Sequence, residues 1–418
     1  MPSRYSHLSA ANESLNSSKQ ILAFEDDLKA IDFPLMITFV ILTAIGLVMI
    51  YSATIGMSGS YSGSYYIKRQ LIALSISSFF VIMLMQLPNE TLRLFSRYLV
   101  IFSIFLLLMV FMPIIGKEVN NASRWIGYGG YNFQPGELAK IAIILYIADY
   151  IARRPNAIRN GVIAQFPIIV VITIVGLILI LQRDHGTLMI LGVVIFSMMI
   201  IGGLKWWVTI SIFTIAGLSV SIYIKYFAPI YLIKRLTSFI DPLKDPTNTG
   251  YQLLHSLIAY GRGQISGVGI GESIEKLKYL PEIHNDFIMA LIAEELGLIG
   301  VILVIILFTF VITRGFMISK MAISRNDLFG AMAVYGIILW IGLQAFINIA
   351  VTMSLFPTKG ITLPFISYGS SSLIVLGIGV GVLFNIQRQK EVLNPLAREI
   401  DQNLTNRNIK GKLYSRLR

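Results

Sequence analysis

The chain has 418 residues, 55% hydrophobic and only 13% charged, with a formal net charge of +12 and no cysteine. A soluble domain carries about 25% charged residues, so this composition, with a mean hydropathy of +0.73, excludes an ordinary soluble protein. Disulfides and thiolate metal sites are excluded with cysteine, and the basic surplus fits loops facing anionic lipid better than it fits nucleic acid.

Residues 1–32 are polar and lack the early apolar core of a cleavable signal peptide, so the first apolar run reads as an uncleaved anchor. About 20 apolar residues cross a bilayer core. The runs predict ten spans at roughly 33–54, 70–86, 98–116, 136–152, 162–181, 187–204, 206–226, 287–313, 328–352 and 368–387, the sixth and seventh separated only by Lys205. The runs are continuous rather than alternating, which excludes barrel strands and leaves helices. No fixed-period repeat is present. The predicted fold is an all-α polytopic membrane protein of three parts: a tail at 1–32, a ten-helix domain at 33–387 and a basic tail at 388–418.

Lys and Arg set the orientation. With the N-terminus inside, the short inner loops carry Arg93, Arg97, Arg153, Arg154, Arg159, Lys205, Arg314, Lys320 and Arg325. The C-terminal tail adds a further basic cluster. The short outer loops hold Lys68, Arg69, Lys117, Arg124, Arg183 and Lys359. Both termini are then cytoplasmic, and a long extracytoplasmic loop, 227–286, joins helices 7 and 8. This places Arg124, Asp184, Asp286 and Lys359 in one outer layer. The chain has no phosphate-binding loop motif and no dinucleotide fingerprint, so a reaction at that face needs a substrate that arrives already activated.

Several polar residues need a partner or a task. Asp286 opens the eighth span, with Glu294 and Glu295 deeper in the same apolar run. An Asp at a helix centre costs about 2.5–3.5 kcal/mol on insertion scales. Asp286, or its neighbour Asn285, suits an N-cap; Asp286 equally suits a general base at the water–lipid boundary. Glu294 and Glu295 lie about 12–14 Å below Asp286 at 1.5 Å per residue and read as structural, hydrogen-bonded or protonated. Gly297 and Gly300 permit close helix approach. Glu137 and Lys140, three apart, share a helix face: either a self-neutralising pair or the polar lining of a cavity. Arg124 and Trp125 are either an interfacial anchor or a fork and a flat face for phosphate and sugar. Residues 182–187, with Asp184 and Gly186, suit a tight turn, and His185 alone is weak evidence for a metal. The glycine-rich 260–271 stretch reads as a flexible loop, with phosphate binding the alternative. Residues 357–372 read as a turn leading to small-residue helix contacts, with Lys359 also placed to face an anionic substrate.

Arg124 to Ile126, Gln134 to Lys140, Gln182 to Thr187, the 261–271 glycines, Pro281 to Gly297 and Pro357 to Ser372, in this order on one ten-span chain, resemble the SEDS family of bacterial membrane proteins, which includes FtsW and RodA. The resemblance spans nearly all of 33–390. Pro357 to Gly360 is more similar to the FtsW branch, which implies septal synthesis in cell division at the bacterial cytoplasmic membrane. The family implies polymerisation of lipid II into glycan strands beside a class B penicillin-binding protein transpeptidase and other divisome proteins. Its essential acid lies in a His-Thr-Asp-Phe motif matched by His284-Asn285-Asp286-Phe287, so the catalytic role falls on Asp286. Substrate-binding positions then fall on Arg124, Trp125, Glu137, Lys140, Asp184, Lys359 and Ser367. Asn285 replaces the usual Thr, Gly136 a Ser, Arg183 a Pro and Ser370 a Gly. These changes alter local contacts and leave the acid in place.

The reaction expected is inverting transfer from an undecaprenyl-diphosphate-linked sugar. Asp286 serves as base, and Arg124 and Lys359 are candidates to neutralise the leaving diphosphate. A divalent cation, Mg or Mn, is a further candidate that no ligand cluster identifies. A lipid II flippase and a noncatalytic division scaffold are the alternatives.

Overall fold

The computed structural model describes residues 31–55, 63–119, 122–128, 131–155, 165–203, 205–226, 239, 241–248, 250–358 and 360–392. A helix lies at each predicted span: α1 Phe33–Thr54, α2 Gly63–Met85, α3 Asn89–Met109, α4 Pro135–Arg153, α5 Phe166–Leu181, α6 His185–Ile201, α7 Trp206–Tyr226, α9 Ile288–Ser324, α10 Leu328–Thr352 and α11 Ser370–Val392. An additional helix, α8 Tyr251–Gly263, lies within the predicted 227–286 loop. Six of these, α1, α2, α3, α9, α10 and α11, are long and apolar enough to cross a membrane, and α5 and α6 are shorter apolar helices. The protein is a multi-pass membrane protein.

Sequence punctuation explains most boundaries. Asp32 caps α1 by accepting from Leu35 N, Pro34 sits in its first turn, and Asp327 caps α10 by accepting from Gly330 N. Pro135 opens α4. The third predicted span, 98–116, is corrected: α3 begins directly after Pro88 and ends at Met109. Hydropathy misplaces it because polar Asn89 to Arg97 form its first turns, whereas apolar residues 110–115 lie outside it.

The expectation of an all-α fold also needs correction. Between α3 and α4 an antiparallel sheet runs in the order β1 Gly116–Val119, β2 Ala122–Tyr128, β3 Tyr131–Phe133. Lys117 pairs with Trp125 and Ile126 with Phe133. Alternating side chains on β2 send Arg124 and Trp125 to opposite faces.

α4, α10 and α11 form the interior, and α2 and α3 turn much of their apolar surface outward. Gly377 and Gly381, four residues apart on α11, let α2 approach: a Cβ at Gly377 would stand 2.0 Å from Ser77 Oγ, and one at Gly381 3.0 Å from Leu84 Cβ. Such small-residue seams are how membrane helices pack closely.

α9 departs most from its predicted span, 287–313. It continues to Ser324, past Arg314 and Lys320. Arg314 pairs with Asp32 at 2.8 Å, which ties its charge to the foot of α1. Near its other end α9 breaks at Gly297, with φ 67° and ψ −163°. The glycine-rich stretch fills the break and is bonded backbone rather than a free loop. Val268 N and Gly269 N donate to the carbonyls of Glu294 and Glu295, while Leu298 N and Ile299 N donate to those of Gln264 and Ile265. The close approach expected at Gly297 therefore occurs, but to this stretch: a Cβ there would meet Gly267 N at 2.3 Å.

Glu294 and Glu295 are fully buried on either side of this junction. Glu294 accepts from Arg262 Nη1 at 2.7 Å, from Ile274 N at 3.0 Å and from Ser273 Oγ. Glu295 accepts from Ser52 Oγ at 2.6 Å and pairs with Lys276 at 3.1 Å. Their expected structural role has this physical form: they bind α9 to α8, to the 273–276 segment and to α1.

Candidate active site

Asp286 sits one residue before the helix boundary at Phe287, so neither it nor Asn285 is the N-cap residue of α9. Instead, the three consecutive carbonyls around the acid are each held by a donor from elsewhere. Tyr368 N donates to His284 O at 2.9 Å, Ser367 Oγ to Asn285 O at 2.6 Å, and Asn348 Nδ2 to Asp286 O at 2.8 Å. Ser367 Oγ also accepts from Leu363 N, and Asn348 Nδ2 also donates to Ile361 O. The backbone bearing Asp286 is thus fixed to α10 and to the 361–368 segment. Its carboxylate lies against Gly360, where φ is +64° and an added Cβ would stand 3.3 Å from Asp286 Oδ2. Lys359, the neighbouring cation expected from sequence, lies outside the described residues.

His284 is buried, its ring 4.8 Å from Tyr66 and 5.8 Å from Tyr368. Burial pushes its pKa below the ordinary 6.5, against an opposing pull from Glu282, so the neutral imidazole is favoured beside Asp286.

The second part of the site lies on α4. Lys140, 1% exposed, donates to Glu137 Oε1 at 2.8 Å and to Gln344 Oε1 at 2.8 Å, with Trp340 5.0 Å beneath its ammonium. Gln344 donates onward to Thr362 O at 3.0 Å. Gln344 and Asn348, four residues apart, occupy one face of α10. That face links the Glu137–Lys140 pair to the segment holding Asp286. Neither amide was singled out from sequence. The available signal was two amides at helical spacing inside an apolar span, where polar side chains need partners.

The third part surrounds the start of α6. Asp184 caps that helix, accepting from Thr187 N and, at 2.9 Å, from Thr187 Oγ1. Gln134 Nε2 donates to Asp184 at 3.3 Å, and Arg124 Nε stands 3.9 Å from it while the Arg124 guanidinium also donates to Arg183 O. Of the tight turn expected at 182–187, residues 182–184 make the turn, with Arg183 at φ 60°, and 185–187 already belong to α6. Gln134 N donates to Ser371 Oγ, which donates to Asn132 O, joining this cluster to the first turn of α11. Gly136 packs against the same carboxylate: a Cβ there would lie 3.2 Å from Asp184 Oδ2. Trp125 is half-buried on the opposite side of β2 and does not share Arg124's direction.

Among the described residues, several buried polar atoms of the residues named above have no hydrogen-bond partner: Arg124 Nε, Glu137 Oε2, His284 Nδ1, Asn285 Oδ1 and Asn348 Oδ1. Each such atom costs about 1–3 kcal/mol when left unsatisfied. Those on His284, Asn285 and Asn348 belong to the residues that flank Asp286 or hold its carbonyl, where a bound substrate's polar groups would satisfy them. Among the described residues no three His, Asp or Glu side chains converge as a metal site.

The family model described as "Cell cycle protein", covering FtsW, RodA and SpoVE, matches residues 33–392. The probable peptidoglycan glycosyltransferase FtsW of Nitrosomonas europaea is 39% identical over 367 residues, 85% of this chain and 92% of the relative. Its namesake from Pasteurella multocida is 37% identical over 364 residues, 87% of this chain and 91% of the relative. Among solved structures, a chain from a peptidoglycan synthase complex, described for its coordination of polymerization and crosslinking, superposes with a TM-score of 0.69 at 25% identity. It spans 86% of this chain and 98% of its own. The rod shape determining protein RodA of Thermus thermophilus has the same fold, with a TM-score of 0.62 at 24% identity over 86% of this chain and 97% of its own. With the match running from the start of α1 to the end of α11, the chain belongs to the FtsW/RodA/SpoVE family of cell cycle proteins.

Proposed function

We propose that this protein is a peptidoglycan glycosyltransferase that polymerises lipid II into glycan strands at the outer face of the bacterial cytoplasmic membrane, for septal wall synthesis in division. The observation that carries this reading is the clamped acid. The carbonyls of His284, Asn285 and Asp286 are each held by a donor, and buried polar atoms without a partner among the described residues lie on the acid's neighbours His284 and Asn285 and on Asn348, which holds its carbonyl. Rigid placement of a base with an unsatisfied polar surround is what substrate positioning requires. Relatives named as probable peptidoglycan glycosyltransferases support it from the sequence side.

In the proposed reaction Asp286 takes the proton from the acceptor GlcNAc 4-hydroxyl. That oxygen attacks C1 of the donor sugar as the bond from C1 to the diphosphate oxygen breaks. The electron pair leaves with undecaprenyl diphosphate, C1 inverts, and the proton passes from Asp286 to solvent. A diphosphate departs without protonation, so one carboxylate suffices where glycoside hydrolysis needs two. Arg124 and Lys359 would neutralise the developing charge. Glu137, Lys140, Asp184, Trp125 and Ser367 would shape and hold the substrate path. A divalent cation, Mg or Mn, accompanying the diphosphate would rely mainly on substrate oxygens and would share the neutralisation of its charge.

The same reading assigns ten spans and cytoplasmic tails at 1–32 and 388–418, with 227–286 outside. The excess of Lys and Arg in the loops on one side supports it. A class B penicillin-binding protein transpeptidase would be the partner that crosslinks the product, with other divisome proteins alongside.

The test is polymerisation of purified lipid II by the protein with its transpeptidase partner. Wild type should yield glycan polymer, and folded Asp286→Ala and Asp286→Asn none. Full polymer from either variant rules out Asp286 as base. Lipid II crossing vesicle membranes without polymer would identify a flippase.

A further inference from the structure

A second charged centre lies at the opposite end of α4. Asp149 is 12 residues beyond Glu137, about 18 Å along the helix at 1.5 Å per residue. It is fully buried, and three arginines converge on it: Arg153 Nε at 2.8 Å, Arg97 Nε at 3.1 Å and Arg93 Nε at 3.4 Å. Arg93 and Arg97 are four apart on α3, so one face of that helix supplies both.

A single carboxylate leaves two of these three positive charges uncompensated. Each arginine reaches Asp149 through its Nε, and among the described residues the Nη groups make no hydrogen bond. The guanidiniums are part-exposed, with side chains 37%, 44% and 29% accessible for Arg93, Arg97 and Arg153. Two of them are further held by rings: Arg93 lies over Phe329 and Arg153 over Tyr150, each at 5.8 Å. Pinned Nε atoms and open Nη atoms present rigid forks outward, the arrangement that suits phosphate oxygens.

The surroundings indicate the source of the phosphate. Leu94, Phe95, Tyr98 and Ile101 of α3, interleaved with the two arginines and following them, are between 52% and 65% exposed on the bundle's apolar outer surface. A soluble phosphate would gain nothing from that surface, whereas a phospholipid places its headgroup at the arginines and its acyl chains along α3. We propose that Arg93, Arg97 and Arg153, held by Asp149, form a binding site for the headgroup phosphate of an anionic phospholipid, separate from the candidate active site. Asp149 is the positioning residue of this site: it collects charge from two helices and turns the forks toward the headgroup layer.

The experiment is native mass spectrometry of the full-length protein, dosed in detergent with phosphatidylglycerol or with phosphatidylcholine of the same acyl chains. Wild type should retain phosphatidylglycerol preferentially, and Arg93→Gln and Arg97→Gln should each weaken that retention about fivefold, as expected for loss of one basic side chain near a lipid surface. The thermal midpoint in phosphatidylcholine reports folding of each variant. Should Arg97→Gln not fold, Arg93→Gln alone is read, because its contact with Asp149 is the longest of the three. Equal retention of the two lipids by wild type, or undiminished phosphatidylglycerol on the folded variants, overturns the site. Displacement of phosphatidylglycerol by an equal concentration of inorganic phosphate overturns the lipid assignment and gives the forks to a soluble phosphate.

Discussion

At Asp286 the backbone is held by donors from outside its own helix. Gly360 shows the tolerance. Its φ of +64° favours glycine, and its missing Cβ is the space beside Asp286 Oδ2. Gly360→Ala adds about 1–2 kcal/mol of backbone strain and crowds the carboxylate by a few tenths of an ångström. We expect the polymerisation rate to fall about tenfold, since small displacements of a reacting group are costly, while lipid II binding measured separately changes little. An unaltered rate would show that the carboxylate is not confined there. His284 gives a pH signature. Its pKa is depressed by burial, so the unfolded chain binds the extra proton first as pH falls below 6.5, and folded stability is lost from there down through the folded-state value. The slope is at most about 1.4 kcal/mol per pH unit for this one group. Thermal midpoints between about pH 8 and pH 5 should fall more steeply for wild type than for His284→Gln; parallel curves would remove His284 as the cause.

At the scale of elements, the break in α9 decides where the acid stands. Gly297 interrupts the helix, and the 264–269 backbone supplies the hydrogen bonds that the break leaves open. Glu294 and Glu295 then lock the short Ile288–Leu296 segment in place. Glu295→Ala would leave Lys276 buried without its carboxylate, which costs about 3–5 kcal/mol. The thermal midpoint should drop sharply, and Glu295→Leu combined with Lys276→Met should recover most of the loss, because replacing both partners removes the uncompensated charge. A double variant as unstable as the single one would mean that the pair contributes through something other than its charges.

For the whole molecule, orientation is the property to test, and a chain without cysteine gives a clean background. Leu355, after α10, is 64% exposed, and Asn326 lies in the turn between α9 and α10. In the proposed topology, a membrane-impermeant maleimide should label Leu355→Cys in intact spheroplasts and Asn326→Cys only after permeabilisation. The reverse pattern would turn the protein over and move Asp286 away from the outer face.

The sequence by itself determined the helical membrane class, the approximate place of each apolar helix, a turn at Asp184, and the family through its ordered motifs. These are properties of local composition and short spacing, which hydropathy and turn chemistry express directly. Only the tertiary structure decided that the backbone at Asp286 is held from α10 and the 361–368 segment, that the glycine-rich stretch is bonded to a broken α9, that three strands pair after α3, and that Gln344 and Asn348 join α4 to the acid-bearing segment. It also showed three arginines sharing Asp149, which the sequence presents only as basic loops and one inconspicuous acid. Each of these depends on partners far apart in the chain, such as Ser52 with Glu295 or Arg93 with Asp149, and a pairing across such separations is set by packing in three dimensions rather than by any local pattern.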